Sequence, residues 1–209
     1  MKLYTCRTAP SPRRVRIFAA EKGLELEPVE IDLRAGEQFD DGYRTVNPDC
    51  VVPTLETNAG EHLTEVHAIC DYLEVLHPEP ALYGTTPIER ARAIEWNMKI
   101  EQQGLWAMAE TFRNSVAGLE GRALPGPVGY EQIPALAERG GKRVTWFMGR
   151  LDERLAGREF VATERYTVAD ITALVFVDFA ARANIDMPEN AAHLRRWYAA
   201  ISSRPSAGA

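Results

Sequence analysis

The sequence predicts an α/β layer at the amino-terminal end, followed by an all-helical region. Strand patterns and helix patterns alternate over the first 77 residues. A segment rich in proline and glycine, residues 78–87, interrupts this alternation, and the chain beyond it shows only helical periodicity. Alternating strands and helices favour a sheet covered by helices, whereas consecutive helices favour a separate helical unit. We therefore predict two domains, residues 1–78 and 88–209, joined by a linker at residues 79–87.

Capping and turn residues define the first elements of the amino-terminal domain. A strand pattern covers residues 2–5, and Ser11 followed by Pro12 predicts a helix N-cap with proline at the first helical position. Gly23 supplies the left-handed conformation that ends the helix. Polar and apolar residues then alternate over residues 27–33, which predicts a second strand.

A short helix, a hairpin and a longer helix complete this domain. After a glycine-containing loop and the short helix, a strand pattern at residues 54–57 leads into a turn at 58–60 and a second strand at 61–63. A helical apolar stripe then runs from Glu65 to Leu76. The order strand–helix–strand–helix–strand–strand–helix predicts an α/β layer whose sheet is closed by a hairpin.

The second domain is predicted to be helical throughout. One helix covers residues 88–115 and another covers 132–155, with a loop rich in glycine and proline at 118–130 between them. Residues 167–170 match a capping box in which aspartate replaces glutamate, and they open a helix that is apolar on nearly every side. Such a helix is expected at the centre of a helical core. A last helix covers residues 191–202.

The composition argues against nucleic acid and membranes as partners. The 209 residues include 30 acidic and 24 basic side chains, a net charge of −6, whereas non-specific nucleic-acid binding needs an excess of Lys and Arg. No apolar run approaches the roughly 18 residues of a transmembrane helix. Cys6, Cys50 and Cys70 form no CxxC pair and no zinc-site spacing, so we predict no metal site and buried thiols in a reducing cytoplasm.

Five motifs, taken in chain order, resemble the cytosolic glutathione transferase family. They are APSPRRVR at residues 9–16, GEQF with NPDCVVPTL at residues 36–39 and 47–55, LTEVHAICDYL at residues 63–73, TVAD at residues 167–170, and RPS at residues 204–206. The resemblance covers essentially the whole chain. It implies a thioredoxin-like amino-terminal domain that binds glutathione, an all-helical carboxyl-terminal domain, and a homodimer.

A site of this kind must stabilise the thiolate of glutathione. A free thiol with a pKa near 8.5 is only a few per cent ionised at neutral pH, and lowering the pKa by about two units needs roughly 2.7 kcal/mol. A hydroxyl donor at a helix N-terminus could supply much of this. Ser11 is the predicted activating residue, Thr8 is the alternative, and a simple capping role for Ser11 is also possible. Cys6 is the rival nucleophile, although no second cysteine supports disulfide exchange.

The resemblance also implies how the backbone near residue 52 binds glutathione. Pro53 matches the family's cis-proline, and Val52 would pair its backbone N–H and C=O with the cysteine of glutathione, as one strand pairs with another. An ordinary edge-strand proline is the alternative. The lysine often found two residues before this proline is Val51 here, which makes the site less polar.

The remaining predicted contacts involve the two ends of glutathione. Glu65 would face the amine of the γ-glutamyl group, and the N–H of Val66 would face its carboxylate at the start of a helix. The family has serine at the position of Val66, so a hydrogen bond to a charged group, about 1.5–3 kcal/mol, is lost. Gln38 would reach the glycine carboxylate, and Thr8 completes the predicted glutathione-binding set.

The electrophile is expected to bind in a cleft between the domains, where ligand sites are common. Trp106, Phe112 and Arg113 are the predicted pocket residues, with Met108 as a further candidate. An aromatic stripe at helical spacing also fits an ordinary core.

We therefore predict a glutathione transferase-like enzyme that conjugates the glutathione thiolate to a small hydrophobic electrophile. One alternative is a glutathione-dependent reductase, isomerase or dehalogenase that uses the same site. Another is a non-catalytic module that binds glutathione or a protein partner, since Ala9, Val51 and Val66 depart from the family's pattern.

Overall fold

A computed structural model describes residues 1–209, and the chain divides into two compact units. Unit 1 comprises residues 1–80, 125–129 and 208–209, and unit 2 comprises residues 81–124 and 130–207. The assignment of residues 1–78 and 88–209 as functional domains remains a prediction. The inclusion of residues 125–129 in unit 1 has no counterpart in the sequence pattern.

Unit 1 is built on a four-stranded mixed sheet in the order β2-β1-β3-β4. The strands are β1 (Lys2–Thr5), β2 (Glu27–Glu30), β3 (Thr54–Glu56) and β4 (His62–Leu63). β1 pairs in parallel with β2 and antiparallel with β3, and β3 pairs antiparallel with β4. The predicted hairpin is confirmed. β2 ends at Glu30 and not at residue 33, because its neighbour β1 ends at the paired residue Thr5.

Three helices belong to unit 1: α1 (Pro10–Glu21), α2 (Asp41–Val46) and α3 (Val66–Leu76). The prediction that Ser11 caps α1 was wrong, since Ala9 is the N-cap residue and Ser11 is the second helical residue. Pro10 fits the first helical position as well as Pro12 would, so the helix starts earlier. Gly23, at φ +64°, adopts the predicted left-handed conformation.

A buried ion pair joins the carboxyl-terminal ends of α1 and α3, which pack together. The Lys22 side chain is fully buried, and its Nζ lies 2.7 Å from Oε2 of Glu74. The same ammonium donates to the carbonyls of His77 and Pro80, each at 2.7 Å. A buried charge is tolerated when its partners satisfy it fully. Lys22 therefore holds the chain that leaves α3 against the end of α1.

Unit 2 contains α4 (Pro87–Ile100), α5 (Trp106–Arg113), α6 (Pro134–Arg154), α7 (Val168–Arg182) and α8 (Ala192–Ser202). The predicted continuous helix over residues 88–115 is interrupted by a π-helical turn, Glu101–Leu105. At this turn a Cβ added to Gly104 would lie 2.9 Å from the ring of Phe176, so the glycine permits close packing on α7. No helix in the chain has the length and apolarity needed to cross a bilayer.

The capping box of α7 is present as predicted, and the helix is buried along most of its length. The Asp170 carboxylate accepts hydrogen bonds from the backbone N–H groups of Val161 and Thr167, the Thr167 hydroxyl, and Nε1 of Trp197. Complete burial nevertheless raises the pKa of Asp170 to about 6, because desolvation outweighs these donors. Asp170 thus links the start of α7 to α8 and to the preceding loop.

Stability is expected to depend on pH through Asp170. Its folded-state pKa of about 6 exceeds the ordinary value of 3.8, so the folded state binds the proton more tightly than the unfolded state. This contribution to the unfolding free energy is therefore greatest at low pH and falls by about 3 kcal/mol as pH rises from about 4 to about 6.

Urea denaturation of wild type and Asp170→Asn at several pH values measures this effect. The variant should be less stable, because the NH2 group of its amide faces hydrogen-bond donors and cannot accept from them. We expect its free energy of unfolding to be lower by about 1–3 kcal/mol. The difference in unfolding free energy between wild type and variant should decrease as pH rises, because only the wild type loses the Asp170 contribution. Glu153→Gln, at an exposed position, should show no such trend. A difference in unfolding free energy between wild type and Asp170→Asn that stays constant across this pH range would contradict the raised pKa of Asp170.

Candidate functional site

The sheet register brings several segments of unit 1 to one edge. β1 and β2 are parallel and end at this edge, β3 begins there because it is antiparallel to β1, and β4 ends there because it is antiparallel to β3. The predicted glutathione-site residues all lie on the segments that leave or enter this edge: Thr8, Ser11, Gln38, Val52, Pro53, Glu65 and Val66. A common edge makes these segments neighbours although they are far apart in sequence.

The main chain of Val52 is unpaired at this edge. The Val52–Pro53 peptide bond is cis, as the family resemblance implies. The preceding carbonyl, of Val51, accepts hydrogen bonds from the Tyr43 hydroxyl and from Nδ2 of Asn47 at 2.8 Å. No hydrogen bond within the chain uses the N–H or C=O of Val52. Val52 therefore offers a donor and an acceptor that an extended peptide could use.

Tyr43 and Asn47 support the segment before Val52, and sequence reasoning missed them. Both side chains are buried, and both also contact the hydroxyl of Thr54. Burial raises the pKa of Tyr43, so its hydroxyl keeps the proton that it donates to Val51. The family resemblance includes Asn47 in the motif at residues 47–55 but assigns no role to its side chain, and its short spacing to Val51 is the signal that could have found it.

The start of α3 combines backbone strain with free donors. Glu65 has φ +64°, which is unfavourable for a residue with a side chain and recurs at binding sites. The first helical hydrogen bond here runs from the N–H of Ile69 to the Glu65 carbonyl, and no side chain caps the helix. The N–H of Val66 has no acceptor within the chain. The side chain of Glu65 is exposed and that of Val66 is buried.

Gln38 carries an unsatisfied buried acceptor. It lies in a short 3₁₀ turn, Glu37–Phe39, and is 92% buried, since its relative exposure is 8%. Its Oε1 atom has no hydrogen-bond donor within the chain. An acceptor left in this state costs about 1–3 kcal/mol unless a ligand or water supplies a donor. Gln38 is thus suited to a ligand that carries N–H groups.

The first turn of α1 concentrates its free donors on Ser11. Pro10 and Pro12 carry no backbone N–H, so Ser11 supplies the one backbone N–H of the first three helical residues. The Ser11 hydroxyl accepts from Nη2 of Arg14 at 3.5 Å, which leaves its own proton available. Thr8, the alternative, is exposed, and its hydroxyl lies 3.5 Å from the sulfur of Cys6.

The three cysteines are free and buried. Cys6 is 7% exposed, Cys50 3% and Cys70 1%, so none presents its thiol to solvent. No group of three or more His, Cys, Asp or Glu side chains is arranged to hold a metal ion. These positions fit a packing role better than a nucleophilic one.

In unit 2, the predicted electrophile residues have different environments. Trp106 begins α5 and is 55% exposed, and the ring of Phe112 packs edge-on against Phe179 at 5.4 Å. Arg113 ends α5 and is half-buried. Met108 is completely buried, so its inclusion among the pocket candidates was wrong.

Comparison with known proteins identifies the family to which the fold belongs. The family model for the glutathione S-transferase N-terminal domain matches residues 8–76, and the model for the C-terminal domain matches residues 128–205. Glutathione S-transferase 2 of Saccharomyces cerevisiae is 32% identical over 209 residues, which cover 99% of this chain and 87% of the yeast protein. The chain belongs to the glutathione S-transferase family.

Two further relatives add detail. The crystal structure of a glutathione S-transferase domain-containing protein from Marinobacter aquaeolei is 36% identical, with a TM-score of 0.90 and 99% of each chain covered. Maleylacetoacetate isomerase of Pseudomonas aeruginosa is 43% identical over 94 residues, 44% of each protein. The yeast and Marinobacter relatives are thus similar over the whole chain, and the likeness to the isomerase covers less than half of it.

Burial predicts that the thiols are unreactive in the folded protein. A disulfide reagent such as dithionitrobenzoate should titrate three thiols after unfolding and less than one during the same time under native conditions. Cys6→Ser should leave glutathione-dependent turnover within about twofold of wild type. Rapid native labelling that Cys6→Ser abolishes would instead make Cys6 a reactive group.

Proposed function

We propose that the protein is a glutathione transferase that joins the glutathione thiolate to a small hydrophobic electrophile. The observation that carries this proposal is the unpaired main chain of Val52, located at the same sheet edge as the donors of Ser11. A tripeptide laid along Val52 would complete the pairing of this edge. Membership of the glutathione S-transferase family supports glutathione as that tripeptide.

Each end of glutathione has a complementary group in unit 1. The γ-glutamyl carboxylate would accept from the N–H of Val66, where the α3 dipole favours negative charge, and the adjacent amine would face Glu65. The buried Oε1 of Gln38 would accept an N–H of the peptide, while its carboxamide NH2 would serve the glycine carboxylate. Thr8 would contact the peptide near the cysteine.

Ser11 would act on the sulfur. Its N–H and O–H can both donate to a thiolate, and the positive end of α1 favours the same charge. The ionised thiol forms a carbon–sulfur bond with the electrophile, the leaving group departs with the bonding electrons, and the thiol proton passes to solvent. Fixed donors of this kind stabilise the thiolate without reorganisation during the reaction.

We further propose that the electrophile contacts Trp106, Phe112 and Arg113 of α5. An exposed indole and a half-buried phenyl ring suit an apolar or aromatic compound. A homodimer in the cytoplasm completes the proposal, supported by the family and by the free, unbridged cysteines. Light scattering after gel filtration would test the dimer.

A glutathione-dependent isomerase is the second candidate, favoured by the likeness to maleylacetoacetate isomerase. Both functions need bound thiolate, but an isomerase releases glutathione unchanged. Mass spectrometry of the products separates them, because only a transferase leaves a thioether. Binding with neither product would indicate a non-catalytic module.

Replacing the Ser11 hydroxyl should impair chemistry more than binding. A hydrogen bond to a charged group contributes about 1.5–3 kcal/mol, so Ser11→Ala should lower kcat by about 10–100-fold. The ultraviolet absorbance of bound thiolate should fall in parallel, while the calorimetric Kd for glutathione changes less than about threefold. Thr8→Val tests the alternative activating residue and should lower kcat less than Ser11→Ala does. The reverse order of losses would assign activation to Thr8.

Adding a hydroxyl at the start of α3 should tighten glutathione binding. Val66→Thr preserves the branched shape of the buried side chain and adds a donor for the γ-glutamyl carboxylate. We expect the Kd to fall by about tenfold, measured by calorimetry. Val75→Thr, on the exposed face of the same helix, should leave the Kd unchanged. An unchanged or weaker Kd for Val66→Thr would place the carboxylate elsewhere.

A further inference from the structure

Arg113 is a half-buried cation with no acidic partner. Its Nη2 donates to the carbonyls of Arg122 and Leu124, at 2.7 and 3.0 Å, which fixes the guanidinium. Its Nε is buried without an acceptor, and Nη1 has no acceptor within the chain and remains open to solvent. Neutral carbonyls orient this charge but do not compensate it.

The nearest carboxylate on the same helix forms ion pairs with other arginines. Glu110 lies one turn before Arg113, and its two oxygens pair with Arg139 at 2.7 Å and Arg143 at 3.1 Å. Burial, and then the neighbouring Arg122, lower the pKa of Arg113, as expected of a cation without an anion close by. Charges removed from water are ordinarily paired, so this guanidinium is suited to an external anion.

The surroundings of Arg113 describe the rest of that ligand. The exposed indole of Trp106 lies seven residues before Arg113, on the same face of α5 after two turns, and Phe112, the residue before Arg113, packs its half-buried ring edge-on against Phe179. An anion that carries an apolar or aromatic body would use both kinds of surface. An isolated inorganic anion would use only the guanidinium.

We propose that Arg113 binds an acidic group on the electrophile, so that the preferred substrates are apolar or aromatic electrophiles bearing a carboxylate. This rests on the proposed transferase function and specifies its substrate class. Arg113 holds the carboxylate, and the carbon attacked by sulfur is elsewhere on the molecule. The carboxylate itself is not consumed, because the new bond forms at the carbon that loses its leaving group.

A pair of substrates that differ by one carboxylate tests the proposal. A chlorodinitrobenzene and the chlorodinitrobenzoate with its carboxylate para to the chlorine react alike: sulfur bonds to the ring carbon and chloride leaves with the electron pair. In Arg113→Gln, the KM for the benzoate should rise by about tenfold and the KM for the neutral compound by less than about twofold. Arg113→Lys, which keeps the charge, should retain part of the preference.

Gln132→Leu is the matched control for the loop. Gln132 fastens the same region by donating to the carbonyls of Arg113 and Val116, each at 2.8 Å, but it carries no charge. It should change both KM values by the same factor. Equal effects of Arg113→Gln on the two substrates, or a loss of preference in Gln132→Leu, would overturn the proposal.

A measurement without turnover separates this inference from the proposed function. Dinitrobenzoate without the chlorine cannot react, and its calorimetric Kd should be about tenfold weaker for Arg113→Gln than for wild type. Equal Kd values would overturn the anion site even if the enzyme is active. If wild type forms no conjugate, the transferase proposal is wrong. The comparison of Kd values still measures whether Arg113 binds the carboxylate.

Discussion

The antiparallel pairing of β1 with β3 is the constraint on which the proposed glutathione site depends. It places the segment after Thr5 beside the segment before Thr54, so Ser11 and Val52 leave the same edge. The hydrogen bonds to the Val51 carbonyl then keep that group occupied and leave the main chain of Val52 available. A shift of register by one residue would turn the β3 side chains to the opposite face and separate these groups.

Two charged residues of unit 2 show how burial serves different ends. Asp170 is completely buried, and four donors from three residues surround its carboxylate, so its role is to join elements of the helical core. Arg113 is only half-buried, donates to two carbonyl oxygens and has no carboxylate partner, because Glu110 pairs with other arginines. The Asp170 carboxyl joins elements through its hydrogen bonds even though burial disfavours its charge, whereas the Arg113 guanidinium, which has no anion beside it, is available to a ligand.

The sequence by itself determined the features that depend on neighbouring residues. The left-handed end of α1 at Gly23, the hairpin turn at residues 58–60 and the capping box at residues 167–170 each need only a few consecutive side chains. The buried character of α7 follows from its nearly continuous apolar residues. The motifs around Val52 and Glu65 likewise identified the segments that meet at the sheet edge.

Only the tertiary structure decided the features that arise between distant residues. α1 begins at Pro10 in the structure, before the predicted N-cap residue Ser11. The π turn in the first long helix lies where Gly104 meets Phe176 and where Arg143 donates to the carbonyl of Gln102, contacts invisible to helical periodicity. The ion pairs of Glu110 with Arg139 and Arg143, which leave Arg113 without an anionic partner, also join residues that are distant in sequence. Capping and turn preferences act within one turn of chain, whereas hydrogen bonds and packing between elements depend on how the chain folds back on itself.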